Sequence, residues 1–153
     1  MRKTQNNEFI KDKEILDNYE IELLKKYQIK PSVQRISILK YIIRNKTHPT
    51  IDEIFDNLVG KIPTLSKTTV YNTLSLFLKK GLAVSFLNND KISYDIMDNI
   101  HFHFKCLKCK KIIDIDNPEI IKKFKIDDRN FDGNKVINQF VIFEGICKDC
   151  LKK

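Results

Sequence analysis

Ser66-Lys67-Thr68-Thr69-Val70-Tyr71-Asn72-Thr73-Leu74-Ser75-Leu76-Phe77-Leu78-Lys79-Lys80-Gly81 is the stretch on which the fold of this chain turns. Val70, Leu74, Phe77 and Leu78 recur at i, i+4, i+7 and i+8, the apolar stripe of a helix with one buried face. Ser66 stands where an N-cap hydroxyl is wanted and Gly81 where a helix stops. Two extended runs follow, Leu82 to Leu87 and Lys91 to Ile96, joined by Asn88-Asn89-Asp90, which predicts a hairpin. The face opposite the stripe carries Thr68, Tyr71, Asn72, Ser75 and Lys79, all able to bond phosphates or base edges. A merely solvated helix face has the same periodicity, so this pattern alone does not establish DNA contact.

Upstream, the helix signals repeat. Ile15, Tyr19 and Leu23 at a spacing of four predict an amphipathic helix over Lys11 to Tyr27. Pro31-Ser32 starts a second, with Ser32 as N-cap and Val33, Ile36 and Ile43 on its buried stripe, ending before His48-Pro49. Thr50-x-x-Glu53 reads as a capping box for a short third helix through Ile54 and Leu58 to Gly60. Three or four short helices and then a hairpin describe a winged helix-turn-helix, whose helix before the hairpin enters the major groove.

Downstream of residue 96 the character of the chain changes. All four of its cysteines fall in two Cys-x-x-Cys pairs, Cys106/Cys109 and Cys147/Cys150, the pattern of a closed four-cysteine zinc site. Two disulfides or four unrelated thiols are the other readings; disulfides need an oxidising compartment, and the N-terminal Met-Arg-Lys-Thr-Gln-Asn-Asn-Glu has no apolar run to direct export. Phe104 and Cys106 through Ile115 predict a strand pair around the first knuckle. Asn117-Pro118 begins a helix carrying Ile120, Ile121 and Phe124, Asp127 to Asn134 is a polar loop, and Val136 to Ile146 alternates as a strand into the second knuckle. The expectation is an α+β protein: a winged-helix DNA-binding domain over 1–96, and a small C-terminal α/β dimerisation and metal-binding domain over 97–153, joined by a short hinge around Asp95 to Ile100.

Bulk properties agree with a cytoplasmic protein that meets a polyanion. A net charge of +8 and a pI near 9.3 favour nucleic acid or an anionic surface. A hydrophobic content of 42% in 153 residues suffices for one or two small cores. No apolar run approaches the roughly 18 to 20 residues that cross a bilayer.

The chain has three histidines, His48, His101 and His103. On an extended segment, His101-x-His103 would point both imidazoles the same way. Asp95 and Asp114 stand nearby in sequence, and Fe2+ or Mn2+ accepts such a mixture of imidazole and carboxylate. A His-x-His pair on a strand surface without metal is the competing reading.

Taken together, Gln34-Arg35, His48-Pro49-Thr50, Thr69-Val70-Tyr71-Asn72 with Leu74, Tyr94-Asp95, His101-x-His103-x-x-Cys106-x-x-Cys109, Asp114 and Cys147-x-x-Cys150 resemble the ferric uptake regulator superfamily in order and spacing. The resemblance runs from about residue 15 to the end and is strongest to the peroxide-responsive repressors. It implies a homodimeric winged-helix repressor of double-stranded operator DNA, with structural zinc on Cys106, Cys109, Cys147 and Cys150. It also implies a regulatory Fe2+ or Mn2+ on His48, Asp95, His101, His103 and Asp114, and DNA contact through Arg35 as well as the reading-helix residues. Asp114, where uptake regulators tend to carry glutamate, and the lack of histidine in Val136 to Gln139 favour the peroxide branch; Asn138 and Gln139 also differ from many peroxide sensors. Lys67-Thr68 departs from the commoner small-residue start of the reading helix, which bears on operator preference.

That ligand set spans both expected domains, so metal binding is expected to close the hinge and fix the separation of the reading helices of a dimer. With iron bound, peroxide is expected to oxidise ligand histidines, which by resemblance are His48 and His101. An iron-, manganese- or zinc-uptake regulator without peroxide sensing is the alternative within the superfamily. From other classes, a thiol oxidoreductase lacks a βαβ context for either Cys-x-x-Cys, and a zinc hydrolase needs a deep pocket with a general base, so no catalytic residue is expected. A zinc-ribbon interaction module that binds no DNA is a further alternative.

Overall fold

The computed structural model describes residues 18–88, 90–125, 131–136 and 139–152. The chain divides into two compact units, one of residues 1–86 and 92–96, the other of residues 97–153 with the hairpin tip 87–91.

In the first unit, α1 covers 18–26 and α2 runs Val33–Arg44, started by the Ser32 hydroxyl accepting the Arg35 N–H at 3.3 Å. Helix α3, Ile51–Leu58, opens with the capping box: the Thr50 hydroxyl accepts from the Glu53 N–H, and the Glu53 carboxylate accepts from the Thr50 N–H at 2.7 Å. Helix α4, Lys67–Lys79, is capped by Ser66, whose Oγ accepts the Thr69 N–H at 3.0 Å. Its C-terminus closes through Gly81 at φ 74°, with Leu82 N–H donating to Phe77 O and Gly81 N–H to Leu78 O. That paired closure needs a left-handed residue, which glycine supplies without a Cβ clash. Strands β1, Ala83–Asn88, and β2, Lys91–Ile96, form the two-stranded wing. Leu24, Ile38, Leu39, Ile54, Leu74 and Phe77 are fully buried in one core shared by the four helices. Capping hydroxyls are worth about 1 kcal/mol each. Ser66→Ala should therefore lower the unfolding free energy of this unit by that amount, a fall of about 0.3 to 1 M in its urea midpoint, and Ser66→Asp should restore it; an unchanged midpoint in Ser66→Ala would show that α4 is held by packing alone.

Two buried faces differ from the sequence expectation. In α2 the buried residues are Ile38, Leu39 and Ile42, while Val33 is 67% exposed and Ile36 and Ile43 only lean on the core. Apolar or aromatic residues occupy six of the eight positions 36–43, so periodicity does not choose a face there. In α1 the buried residues are Glu20, Leu23 and Leu24; Tyr19 is exposed, and Ile15, like 11–17 generally, lies outside the described residues.

In the second unit, β3, Phe102–Cys106, is the central strand of a sheet ordered β4-β3-β5. Strand β4, Ile112–Ile115, pairs antiparallel with it, and β5, Ile142–Gly145, pairs parallel. The parallel pairing requires a crossover, which contains α5, Pro118–Phe124, capped by Asn117 with Pro118 in the first turn as expected. The expected strand over Val136 to Ile146 is shorter than predicted: 137–138 fall outside the described residues, and the ladder begins at Ile142 opposite His103. A strand extends only as far as its partner, and β3 begins at Phe102. The loop expected over Asp127 to Asn134 is described only from Phe131, as a turn with Gly133 at φ 80°. Phe102, Phe124 and Phe143 pack edge to face, with centroids 5.2 to 6.2 Å apart. Gly145 allows a close approach: a Cβ there would lie 3.2 Å from the Phe104 ring, which would have to give by a few tenths of an ångström.

Candidate metal centres and nucleic-acid face

The four thiols converge through hydrogen bonding of the two knuckles. Lys110, at φ 63°, turns the chain after β3 so that its N–H donates to Cys106 O, and the Cys106 N–H donates to Lys111 O. The second knuckle is pinned by the Leu107 N–H on Gly145 O at 2.7 Å, and Cys147 caps the final short helix α6, Lys148–Leu151. Within this frame the Cys106, Cys109, Cys147 and Cys150 sulfurs all lie within 4.8 Å of one another. Cys109 Sγ and Cys147 Sγ are 3.8 Å apart, far beyond a disulfide bond, and all four cysteines are free. That spacing matches a tetrahedron edge for bonds of about 2.3 Å, the zinc–sulfur length.

The protonation pattern points to the same chemistry. Backbone N–H groups of Cys109 and then Cys147 donate to the Cys106 sulfur, at 3.4 and 3.3 Å, and bring its thiol down to about 6. Cys150 is pushed up to about 12 by the hydrogen bond it shares with the Cys147 side chain and then by desolvation. Four thiolates in so small a space repel one another, and a dication that binds all four relieves the repulsion. The donor set is thus a closed S4 site that fits zinc.

The histidines and aspartates are positioned separately in each unit. In the first, His48 occupies the left-handed region at φ 54° immediately before Pro49, whose carbonyl accepts the Tyr94 N–H of β2 at 3.0 Å. This tie buries His48 against Phe86, with centroids 5.4 Å apart, and puts its Nε2 3.9 Å from Asp95 Oδ2. In the second unit, His103 on β3 is directly opposite Asp114 on β4, so both side chains share one face of the sheet. Their Nε2 and Oδ1 atoms are 3.7 Å apart, and the His103 ring packs on Phe140 at 5.2 Å. The expected alternation holds: the His101 ring lies 4.8 Å from that of His103, with its Nδ1 3.0 Å from Asn99 O.

Separations of 3.7 and 3.9 Å exceed a hydrogen bond. Two donors on one ion with bonds of about 2.1 Å stand about 3.0 Å apart when cis and about 4.2 Å when trans, and both imidazole–carboxylate separations fall between these limits.

On α4, Thr68, Tyr71, Asn72 and Lys79 are exposed, as expected of a reading face, whereas Ser75 is half-buried. Arg35 is half-buried on α2, its Nη1 donating to Lys30 O at 2.6 Å. Lys67, the unusual start of the helix, is bonded to Asp52 at 2.6 Å and lies over Phe55. Sequence reasoning missed a polar cleft of about 270 Å³ lined by Ser32, Gln34, Arg35, Thr69, Asn72 and Thr73. Two of these residues, Arg35 and Asn72, were expected DNA contacts, and a further signal was a hydroxyl, Thr73, inside the apolar stripe of α4.

A winged helix followed by a small α/β unit that gathers four thiols, with an imidazole facing a carboxylate in each unit, defines a metal-responsive regulator of the helix-turn-helix type. The chain belongs to the Ferric uptake regulator family, which it matches over residues 26–139. It is 34% identical over 134 residues to the peroxide operon regulator of Bacillus subtilis strain 168, covering 87% of this chain and 92% of that one. Among solved structures it is similar to the Campylobacter jejuni peroxide stress regulator, with a TM-score of 0.64, 31% identity and coverage of 85% and 98%. It is also similar to the Helicobacter pylori ferric uptake regulator, with a TM-score of 0.62, 26% identity and coverage of 92% and 94%. Among the described residues no helix is long and apolar enough to cross a membrane.

Proposed function

We propose that this chain is a cytoplasmic, homodimeric, metal-dependent repressor that binds duplex operator DNA and responds to peroxide. The observation that carries the reading is the pairing of preorganised donor sets with an exposed polar helix face in a chain of net charge +8. Zinc is held by Cys106, Cys109, Cys147 and Cys150. Fe2+ or Mn2+ is held jointly by His48, Asp95, His101, His103 and Asp114, so that one ion links the DNA-binding domain over 1–96 to the dimerisation domain over 97–153. The DNA contacts are Arg35, Thr68, Tyr71, Asn72, Ser75 and Lys79. Dimerisation through the second unit is supported by its edge strand β5 and by exposed Phe124, Phe131, Phe140, Ile142 and Ile146. The peroxide response is supported by 34% identity to the Bacillus subtilis peroxide operon regulator.

Ferrous iron, when bound, would promote cleavage of the peroxide O–O bond. His48 or His101 would be the group oxidised: one peroxide oxygen adds to a ring carbon of its imidazole, and the other leaves with the displaced ring hydrogen as water. An oxygenated imidazole is a weaker ligand, so its domain loses its hold on the ion and the closed form is no longer favoured.

Mass spectrometry after brief peroxide exposure tests this. A gain of one oxygen on the His48 or His101 peptide is expected in iron-loaded protein and not in manganese-loaded protein. Cysteine oxidation at equal rates with either metal would make the protein a thiol sensor instead. No modification with iron bound would favour the uptake-regulator reading, which the likeness to the Helicobacter pylori ferric uptake regulator supports.

A further inference from the structure

Lys67 begins α4, and its side chain is held in place by α3. Its Nζ donates to Asp52 Oδ1 at 2.6 Å and lies 5.7 Å from the centre of the Phe55 ring, while Asp56 adds its charge to that of Asp52 on the same ammonium. Asp52, Phe55 and Asp56 stand at i, i+3 and i+4 of α3, so one face of that helix cages the ammonium.

Neither local structure nor stability accounts for this arrangement. A cation in the first turn opposes the helix dipole, and that turn of α4 contains no acidic residue to offset it. The Lys67 and Asp52 side chains are 57% and 66% exposed, and an ion pair so open to water is worth little. Such a break in the local rule, compensated from a neighbouring helix, is expected where a site has been built.

The first residues of the reading helix in a helix-turn-helix are the ones that reach base edges. Lys67 shares its helix face with exposed Tyr71, four residues on. An ammonium has three N–H donors, of which Asp52 takes one. Guanine is the base that suits the remaining donors, since it presents two acceptors, N7 and O6, in the major groove. A phosphate oxygen is the poorer partner, because the carboxylates of Asp52 and Asp56 beside the ammonium repel it and do not repel a neutral base edge.

We propose, in a step that rests on the DNA-binding reading and deepens it, that Lys67 is a specificity-determining residue that reads a guanine edge in each half-site, with Asp52 and Phe55 as its positioning groups. Held by the carboxylate before DNA arrives, the long side chain loses less freedom on contact.

Selection of duplexes from a random-sequence pool by full-length, Mn2+-loaded protein tests this, followed by affinities for the selected site and for each single base change in it. Wild type is expected to select a G·C pair at one position of each half-site. Lys67→Ala should flatten the preference at that position by about tenfold, the value of a good base contact, and leave the other positions as they were. Asp52→Asn, which keeps the ammonium but loosens its hold, should lower the same preference while binding to a scrambled duplex stays equal or strengthens. Lys67→Arg should retain the guanine. Thermal midpoints check that the variants are folded, and Lys67→Gln takes the place of Lys67→Ala if the alanine variant is not. Unchanged base preference in the folded Lys67 variants overturns the proposal, as does a Lys67-dependent preference for a base other than guanine. Equal weakening on all duplexes, with the salt slope reduced by about 1, would make Lys67 a phosphate contact and overturn it too. Wild-type protein that enriches no sequence and binds no duplex would sink the DNA-binding reading, and this proposal with it.

Discussion

Cys106→Ser is expected to leave the second unit without a stable fold and the protein without its zinc or its dimer, while the wild type carries about one zinc per chain through mild chelation. The reason is the scarcity of other burial in that unit. Neither α5 nor α6 contains a buried residue, and of the four buried side chains among the described residues of that unit, Phe102, His103, Cys106 and Cys147, two are thiols. Cys106 also accepts the backbone N–H groups that hold both knuckles, so its loss unties the second loop from the first. Structural zinc contributes about 10 kcal/mol or more in small domains, more than so small a core can replace. Zinc analysis, near-ultraviolet circular dichroism and sedimentation would follow the loss. A wild-type protein that is metal-free, dimeric and stable would refute the structural role.

The second large effect concerns DNA. Mn2+ is expected to raise affinity for operator DNA by at least about tenfold, and His101→Ala or Asp114→Ala to abolish that gain with zinc retained. If the ion prefers the DNA-competent form by about 100-fold, the population shifts by about 2.7 kcal/mol, enough to separate bound from free operator. Loss of one ligand removes the differential affinity and leaves the intrinsic binding of the helix face intact. Anisotropy titrations of apo and loaded protein measure both quantities. Equal binding by the two forms would defeat the clamp.

What the sequence made legible was whatever several local signals agreed on. Helix α4 could be placed closely because Ser66, the Val70/Leu74/Phe77 stripe and Gly81 gave one answer, and the third helix because Thr50 and Glu53 cap reciprocally. The thiol cluster was legible because all four cysteines sit in paired knuckles. The buried face of α2 was not, since its run of apolar residues satisfies more than one face, and the length of β5 was not, since that is set by β3 rather than by its own composition. Alternation placed His101 beside His103, and opposite registers put Asp114 within reach, but the pairing of strands belongs to the folded sheet. The cleft was hidden because a threonine within an apolar stripe looks like ordinary core filling.

The left-handed backbone at His48 restricts which sequences can replace that residue during descent. Positive φ is tolerated by asparagine, aspartate and histidine far better than by bulky or β-branched residues. Asparagine and aspartate are also single-nucleotide neighbours of histidine codons. Drift at this position is thereby channelled toward side chains that preserve the turn into Pro49 while exchanging an oxidisable nitrogen donor for oxygen. Under the proposed function, one mutational step at residue 48 removes an oxidisable ligand without disturbing the helix that follows.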